Sequence, residues 1–314
     1  MIRLNSRQPI PEALKGGIVA LGNFDGFHLG HQAVVGEAIA WARAEGRPAI
    51  IATFDPHPVR FFKPDAEPFR LTTLDQRQDL FAAAGADAML VIEFGADVAN
   101  MTAREWIERE LCSHLGAVGV VTGEDFTFGK GRLGNPAVLS AIAAEFGVET
   151  RAVGPVDDAS GPVSSSRIRQ ALKAGDCAEA ARMLTRPFAI RGSVQHGDKN
   201  GRLLGFPTAN LEMGTYLRPR YGIYAVRGYL PDAKTGQVRV LDGAANLGVR
   251  PSFDPPRELL EPHFFDFDGD LYGQEIEVAF HQFLRGEAKF DSMDALMAQM
   301  ERDCDAARAV LAAG

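Results

Sequence analysis

Three groups of residues carry side chains at spacings that suit chemistry on phosphates. Residues 22–31 read GNFDGFHLGH and follow the apolar run Ile18–Leu21, which places His28 and His31 at i and i+3. On a first helical turn two such imidazoles face one way. With the free backbone N–H groups of a helix start they suit a phosphoryl centre whose charge grows during transfer. Gly22, Gly26 and Gly30 let backbone approach a ligand or take a positive φ. Read alone, the stretch also fits a glycine-rich surface turn or half of a zinc site, with His57 of TFDPHP as the nearest further imidazole. In the second group, PTAN sets Thr208 and Asn210 two apart, on one face of an extended chain. A hydroxyl and an amide carbonyl there suit a hard Mg²⁺ ion that also takes phosphate oxygens and water, and a plain polar strand edge has the same pattern. In the third, VSSSRIRQAL (163–172) gathers hydroxyls and guanidinium groups, which bind phosphate oxygens, or which cap and solvate a helix start.

Stepping outward, residues up to about 185 alternate short apolar runs with helical patterns. Strands are expected at Ile18–Leu21, Ala49–Phe54, Ala88–Glu93, Ala117–Thr122 and Glu149–Val153. Helices are expected at His31–Glu45, Leu74–Ala84, Ala103–Leu115, Pro136–Phe146, Ser165–Ala174 and Cys177–Leu184. That alternation predicts an α/β domain with a parallel sheet covered on both faces, and ligands of such sheets sit at the carboxyl ends of the strands. After Arg186-Pro187 the pattern becomes strand after strand (FAIRGSV, YGIYAVRGYL, QVRVLDGAANLG, ELLEPHFFDF, EIEVAFHQFL), and helical periodicity returns in Ser292–Leu311. This predicts an antiparallel sheet or barrel with a terminal helix. The domains expected are 1–185 and 186–314.

The composition narrows the function classes. A formal charge of −8 with interspersed charges argues against a nucleic-acid surface. No apolar run is long enough for a transmembrane helix, and the first residues lack a signal-peptide pattern. Cys112, Cys177 and Cys304 are widely spaced and show no pairing or ligand pattern. The expectation is a cytoplasmic protein working on small molecules, without nucleic acid or membrane as partner and with self-association left open. His263 with Asp266 lacks a third metal ligand.

GNFDGFHLGHQ resembles the HxGH element of nucleotidylyltransferases. With TFDPHP (53–58), GEDFTFGKGRLGN (123–135) and VSSSRIRQAL it resembles the FMN adenylyltransferase module of bacterial bifunctional riboflavin kinase/FAD synthetases. PTAN, YGIYAV (221–226), GAANLGVRPSFD (243–254), LEPHFFDFDGDLYGQEIEV (260–278) and FLRGEAKFDS (283–292) resemble the riboflavin kinase module of the same family. The resemblance implies a Rossmann-like nucleotidylyltransferase domain followed by a compact β-barrel kinase domain.

It also implies roles by position. Gly22, Asn23, Phe24, Asp25, His28 and His31 would hold ATP, with the histidines acting on its phosphates. His57 and Asp125 would line the flavin side of the cleft. Ser164, Ser165, Arg167 and Arg169 would cover the triphosphate. In the kinase, Gly197, Lys199, Gly201 and Arg202 would form the ATP loop, and Thr208 and Asn210 would hold Mg²⁺. Glu261, by itself only a strand carboxylate, would accept the proton of the ribityl 5′-hydroxyl. Asp125 stands where relatives often carry Asn, and Ser166 where they often carry Thr. The implied reactions are phosphorylation of riboflavin to FMN and adenylylation of FMN to FAD, both with Mg²⁺ and ATP. Rival readings are a kinase with a repurposed nucleotide module, a flavin carrier, and chemistry like that of aminoacyl-tRNA synthetases.

Overall fold

The computed structural model describes residues 1–195, 206–232, 235–250 and 257–313. The chain divides into two compact units, Met1–Glu67 with Leu74–Ser164, and Pro68–Thr73 with Ser165–Gly314.

In the first unit the strands are β1 (Ile2–Asn5), β2 (Ile18–Leu21), β3 (Ala49–Asp55), β4 (Ala88–Glu93), β5 (Gly119–Gly123) and β6 (Glu149–Val153). They form one sheet in the order β1-β4-β3-β2-β5-β6, and every neighbouring pair is parallel. β2 is buried along its whole length, as a strand covered on both faces must be. Helices α1 (Leu29–Glu45) and α3 (Leu74–Ala84) contribute Val35, Ala38, Trp41 and Phe81 to one apolar layer. The other layer holds Trp106, Leu111 and Leu139. Trp106 closes α5 (Ala103–Trp106), and Leu139 lies on α6 (Pro136–Ala144); α2 (Pro58–Phe62) and α4 (Ala96–Asn100) are single short turns.

The chain runs outward from β2 through β3 to β4, then adds β5 and β6 on the other side. The crevice at the carboxyl ends of β2 and β5 is therefore the topological switch point, where open α/β sheets hold ligands. β1 lies outside the sequence expectation: four residues pairing only with β4 are too short to show a period. The helix expected over Ala103–Leu115 changes pitch after Trp106 and continues as a wider π-helical turn, Ile107–His114. A two-residue ladder, β7 (Asp157–Asp158) with β8 (Gly161–Pro162), leads out of the unit.

The second unit begins with α7 (Ser165–Ala174) and α8 (Cys177–Leu184), then β9 (Phe188–Ser193), β10 (Leu211–Glu212), β11 (Gly222–Pro231), β12 (Val238–Arg250), β13 (Arg257–Phe264), β14 (Glu275–Arg285) and α9 (Met293–Ala313). The strands pair antiparallel in the order β10-β13-β12-β11-β14-β9. A bridge between Gln195 and Asn210 joins the two outer strands and closes the sheet into a barrel. Leu211, Leu260, Leu247 and Tyr224 fill its interior. α9 covers part of the outer face through Ala307 and Leu311, against Ala225, Ala244 and Phe265. Arg285 holds it by a two-pronged pair with Asp303 at 2.9 and 2.6 Å.

The compact units part at Ser164/Ser165, upstream of the change of pattern near residue 185. The physical reason is the apolar face of α8, where Cys177, Ala180, Met183 and Leu184 are buried. α8 packs against β9 and β14. Segment 68–73 joins the same unit because Arg70 pairs with Tyr216.

Candidate active sites

The first site is a turn on a strand end. β2 stops at Leu21, and Gly22 still bonds back to the Ala52 carbonyl at 3.2 Å. Residues 23–28 then curl over the carboxyl edge of the sheet and deliver the chain to α1, whose N-cap is His28. Gly26 takes a left-handed φ of +87°, as its type permits. Phe24 and Phe27 are left-handed too, at +50° and +46°. Each costs about 1–2 kcal/mol for a residue with a Cβ, so the surroundings must impose the conformation. Gly22 serves a different purpose: a Cβ there would stand 2.9 Å from the Phe24 ring. Gly30 is likewise outside the left-handed region, and the residues that bend this turn are Phe24, Gly26 and Phe27.

The turn brings its two imidazoles together. The His28 and His31 rings stack with centroids 3.6 Å apart and planes 23° apart. His28 is buried at 5% exposure beside the first N–H groups of α1, a helix of 17 residues. Such a helix start is positive. Asp25 is buried beside it, and the Asn23 Oδ1 is buried with no hydrogen-bond partner.

Two residues that the sequence reading passed over support this turn. Arg77 of α3 is fully buried; its Nη1 donates to the Asn23 carbonyl at 3.0 Å and to Thr53 Oγ1 at 2.7 Å. Thr53 also donates to that carbonyl, at 2.9 Å. The signal was present: Arg77 stands four residues before Phe81, on the helix face that should be apolar.

The other members of the first set stand on separate elements. His57 caps α2, its Nδ1 accepting from the Val59 N–H at 3.2 Å, so the neutral ring carries its proton on Nε2. Asp125 is exposed in the loop after β5. Ser164 is the last residue of the first unit, whereas Ser165, Arg167 and Arg169 start α7 in the second. Arg167 bonds Glu179 at 3.0 Å, and Arg169 donates to the Phe69 carbonyl at 2.8 Å. Hydrogen bonds from Arg182 and then Arg167 hold the Glu179 carboxyl below its ordinary value.

The second site is a row across three strands. Glu261 of β13 lies opposite Asn246 of β12, and the Asn246 Nδ2 donates to Glu261 Oε2 at 3.4 Å. Leu211 pairs with Leu260, so Asn210 continues the register next to Glu261. The Ala209 N–H to Pro262 carbonyl bond, 2.9 Å, fixes that alignment. Neighbours in register share a face, so Asn210, Glu261 and Asn246 stand side by side outside the barrel. Thr208 follows on the same face, beside His263, whose Nδ1 donates to the Pro207 carbonyl at 2.9 Å. Asn246 belongs to this row and was not singled out in the sequence, because its place depends on strand register. Gly197, Lys199, Gly201 and Arg202 lie outside the described residues.

Among the described residues no group of three or more His, Cys, Asp or Glu side chains could hold a metal ion. Thr208 and Asn210 offer neutral oxygens beside one carboxylate, a donor set that fits Mg²⁺ shared with phosphates and water better than a protein-caged metal.

Comparison with known proteins agrees with this geometry. A family model described as FAD synthetase matches residues 10–167, and one described as riboflavin kinase matches residues 184–311. A bifunctional riboflavin kinase/FMN adenylyltransferase from Haemophilus influenzae is 38% identical over 298 residues, covering 94% of each chain. The Escherichia coli K12 protein of the same description is 36% identical over 289 residues, 92% of this chain and 91% of that one. Among solved structures, one described as a macrolide-efflux protein from Streptococcus pneumoniae has a TM-score of 0.85 at 30% identity, covering 98% of this chain and 99% of that one. Among the described residues no helix is long and apolar enough to cross a membrane.

Proposed function

Because this chain belongs to the bifunctional riboflavin kinase/FMN adenylyltransferase family, we propose that it makes FAD from riboflavin in two steps, each at its own site. The second domain, 186–314, phosphorylates riboflavin to FMN. The first, 1–185, adenylylates FMN to FAD and releases pyrophosphate. The order along the chain is the reverse of the order of the chemistry. A cytoplasmic setting, where ATP is available, belongs to the same reading.

In the kinase, Glu261 accepts the proton of the ribityl 5′-hydroxyl as that oxygen attacks the γ-phosphorus of ATP and ADP leaves. The Asn246 amide, donating to Glu261 Oε2, orients the carboxylate for that task. Thr208 and Asn210 would hold Mg²⁺, which when bound neutralises phosphate charge. In the adenylyltransferase, the FMN phosphate attacks the α-phosphorus of ATP. This reaction needs no protein nucleophile. His28, His31 and the α1 N-terminus position the phosphates and stabilise the growing charge. Gly22, Asn23, Phe24 and Asp25 frame the nucleotide, His57 and Asp125 lie on the flavin side, and Ser164, Ser165 and Arg167 serve the triphosphate. Arg167 must exchange Glu179 for phosphate to do so.

The observation that carries this reading is the presence on one chain of both a stacked histidine pair at a helix start and a carboxylate–amide row on a barrel. A chromatographic time course with riboflavin, ATP and Mg²⁺ tests it. FMN should rise and then give way to FAD. FMN alone, unchanged when FMN is supplied directly, would remove the adenylyltransferase from the reading. Binding of riboflavin without ATP consumption would leave a carrier.

A further inference from the structure

Among the described residues Arg77 is the one lysine or arginine that is buried, at 0% exposure. A guanidinium stays charged inside a protein, and burying it is unfavourable unless its hydrogens are used. It bonds the Asn23 carbonyl of the nucleotide turn at 3.0 Å and Thr53 Oγ1 of β3 at 2.7 Å, with Thr53 closing the triangle at 2.9 Å. Phe81, on the same face of α3, meets Phe24 and Phe27 edge-on at 5.8 and 5.1 Å. Phe24 in turn meets the His31 ring at 5.4 Å. The two phenylalanines so gripped are the two that take left-handed φ. α3 therefore holds the turn at the carbonyl before the bend and at both strained residues within it. A neutral donor could make the same bond to Asn23. A cation also adds fixed positive potential where the α1 N-terminus already favours phosphate, in surroundings too dry to screen it.

We propose that Arg77 is a positioning residue for adenylyl transfer. With Thr53 it clamps the Asn23 carbonyl and so sets the His28–His31 pair, and its buried charge favours the polyphosphate of the nucleotide. The proposal rests on the reading of this site as an FMN adenylyltransferase.

Full-length chains carrying Arg77→Gln, Arg77→Lys or Thr53→Val test it, assayed for FMN-to-FAD conversion over a range of ATP concentrations. Riboflavin phosphorylation in the same preparations reports the amount of intact chain. Arg77→Gln should raise the KM for ATP and lower kcat, with kcat/KM falling by about 100-fold. Arg77→Lys should restore the KM but not kcat, because an ammonium keeps the charge and loses the planar fork. Thr53→Val should lower kcat and leave KM unchanged. A mere loss of folded protein lowers apparent kcat and cannot move KM. Wild-type constants in Arg77→Gln, or a fall in kcat alone that Arg77→Lys does not distinguish, would overturn the proposal. Should Arg77→Gln fail to fold, wild-type kcat in both Arg77→Lys and Thr53→Val would overturn it equally. A wild-type chain that makes no FAD would refute the reading of the site rather than the role of Arg77.

Discussion

In the proposed reactions the two candidate sites face the same problem, holding phosphate against a reacting oxygen, and are built from different material. The histidine turn works through backbone: a strand end, three left-handed residues and a helix start, gripped from below by α3. The kinase row works through side chains standing off a pleated sheet, where register alone puts Asn210, Glu261 and Asn246 in line. A backbone site depends on its supports, so residues that never meet substrate matter to it. A register site depends on each side chain in the row, and its support is the whole barrel.

The comparison is broken most directly at Glu261. Glu261→Ala should slow riboflavin phosphorylation by about 10²–10⁴-fold, the range of a lost general base, while FMN is still converted to FAD. Separate assays with riboflavin and with FMN read the two rates, and parallel losses would contradict two independent sites. His31→Ala should do the reverse, slowing adenylylation by about 10²–10³-fold if one preorganised donor is lost. The same pair of assays decides it.

Support for the row is tested at Gly222, where β11 begins. Its φ is +147°, and a Cβ there would stand 2.1 Å from the Arg285 carbonyl and 2.8 Å from the Phe283 ring. Gly222→Ala should cost about 1–3 kcal/mol of stability, from overpacking against backbone that cannot yield. Thermal denaturation followed by near-ultraviolet dichroism measures it, and an unchanged midpoint would show that the barrel relaxes there. The smallest effect is expected at Glu179→Gln. Releasing Arg167 for phosphate should lower the ATP KM of adenylylation by about twofold to fivefold, in keeping with a partly exposed ion pair. A raised KM would mean that Glu179 positions Arg167 rather than competing for it.

Much of the first site could be read directly because its residues are consecutive. The period-2 and period-3.6 patterns located β2, α3, β4, β6, α7 and α8 at their observed ends. Glycines and histidines between β2 and α1 marked the turn. Of the three glycines free to take a positive φ, Gly26 does so and Gly22 and Gly30 do not, while Phe24 and Phe27 share the left-handed conformation. Arg77 went unread because an arginine on a helix is ordinarily solvated, and only the fold reveals a carbonyl waiting for it. In the second site Thr208, Asn210 and Glu261 were singled out through resemblance, and register alone adds Asn246 to their row.

What the sequence determined by itself was local: the alternation that makes a covered parallel sheet, the run of strands that makes a barrel, and the helix start beside two histidines. These follow from side-chain period and turn chemistry over a few residues. Tertiary structure decided which strands neighbour which, and therefore that β2 and β5 flank the switch point and that residues 210, 246 and 261 form one row. It also decided that α8 packs with the barrel, because its apolar face found β9 and β14, and that α7 packs against α8. Such pairings join residues far apart along the chain, and their free energy comes from burial and register that no short stretch of sequence contains.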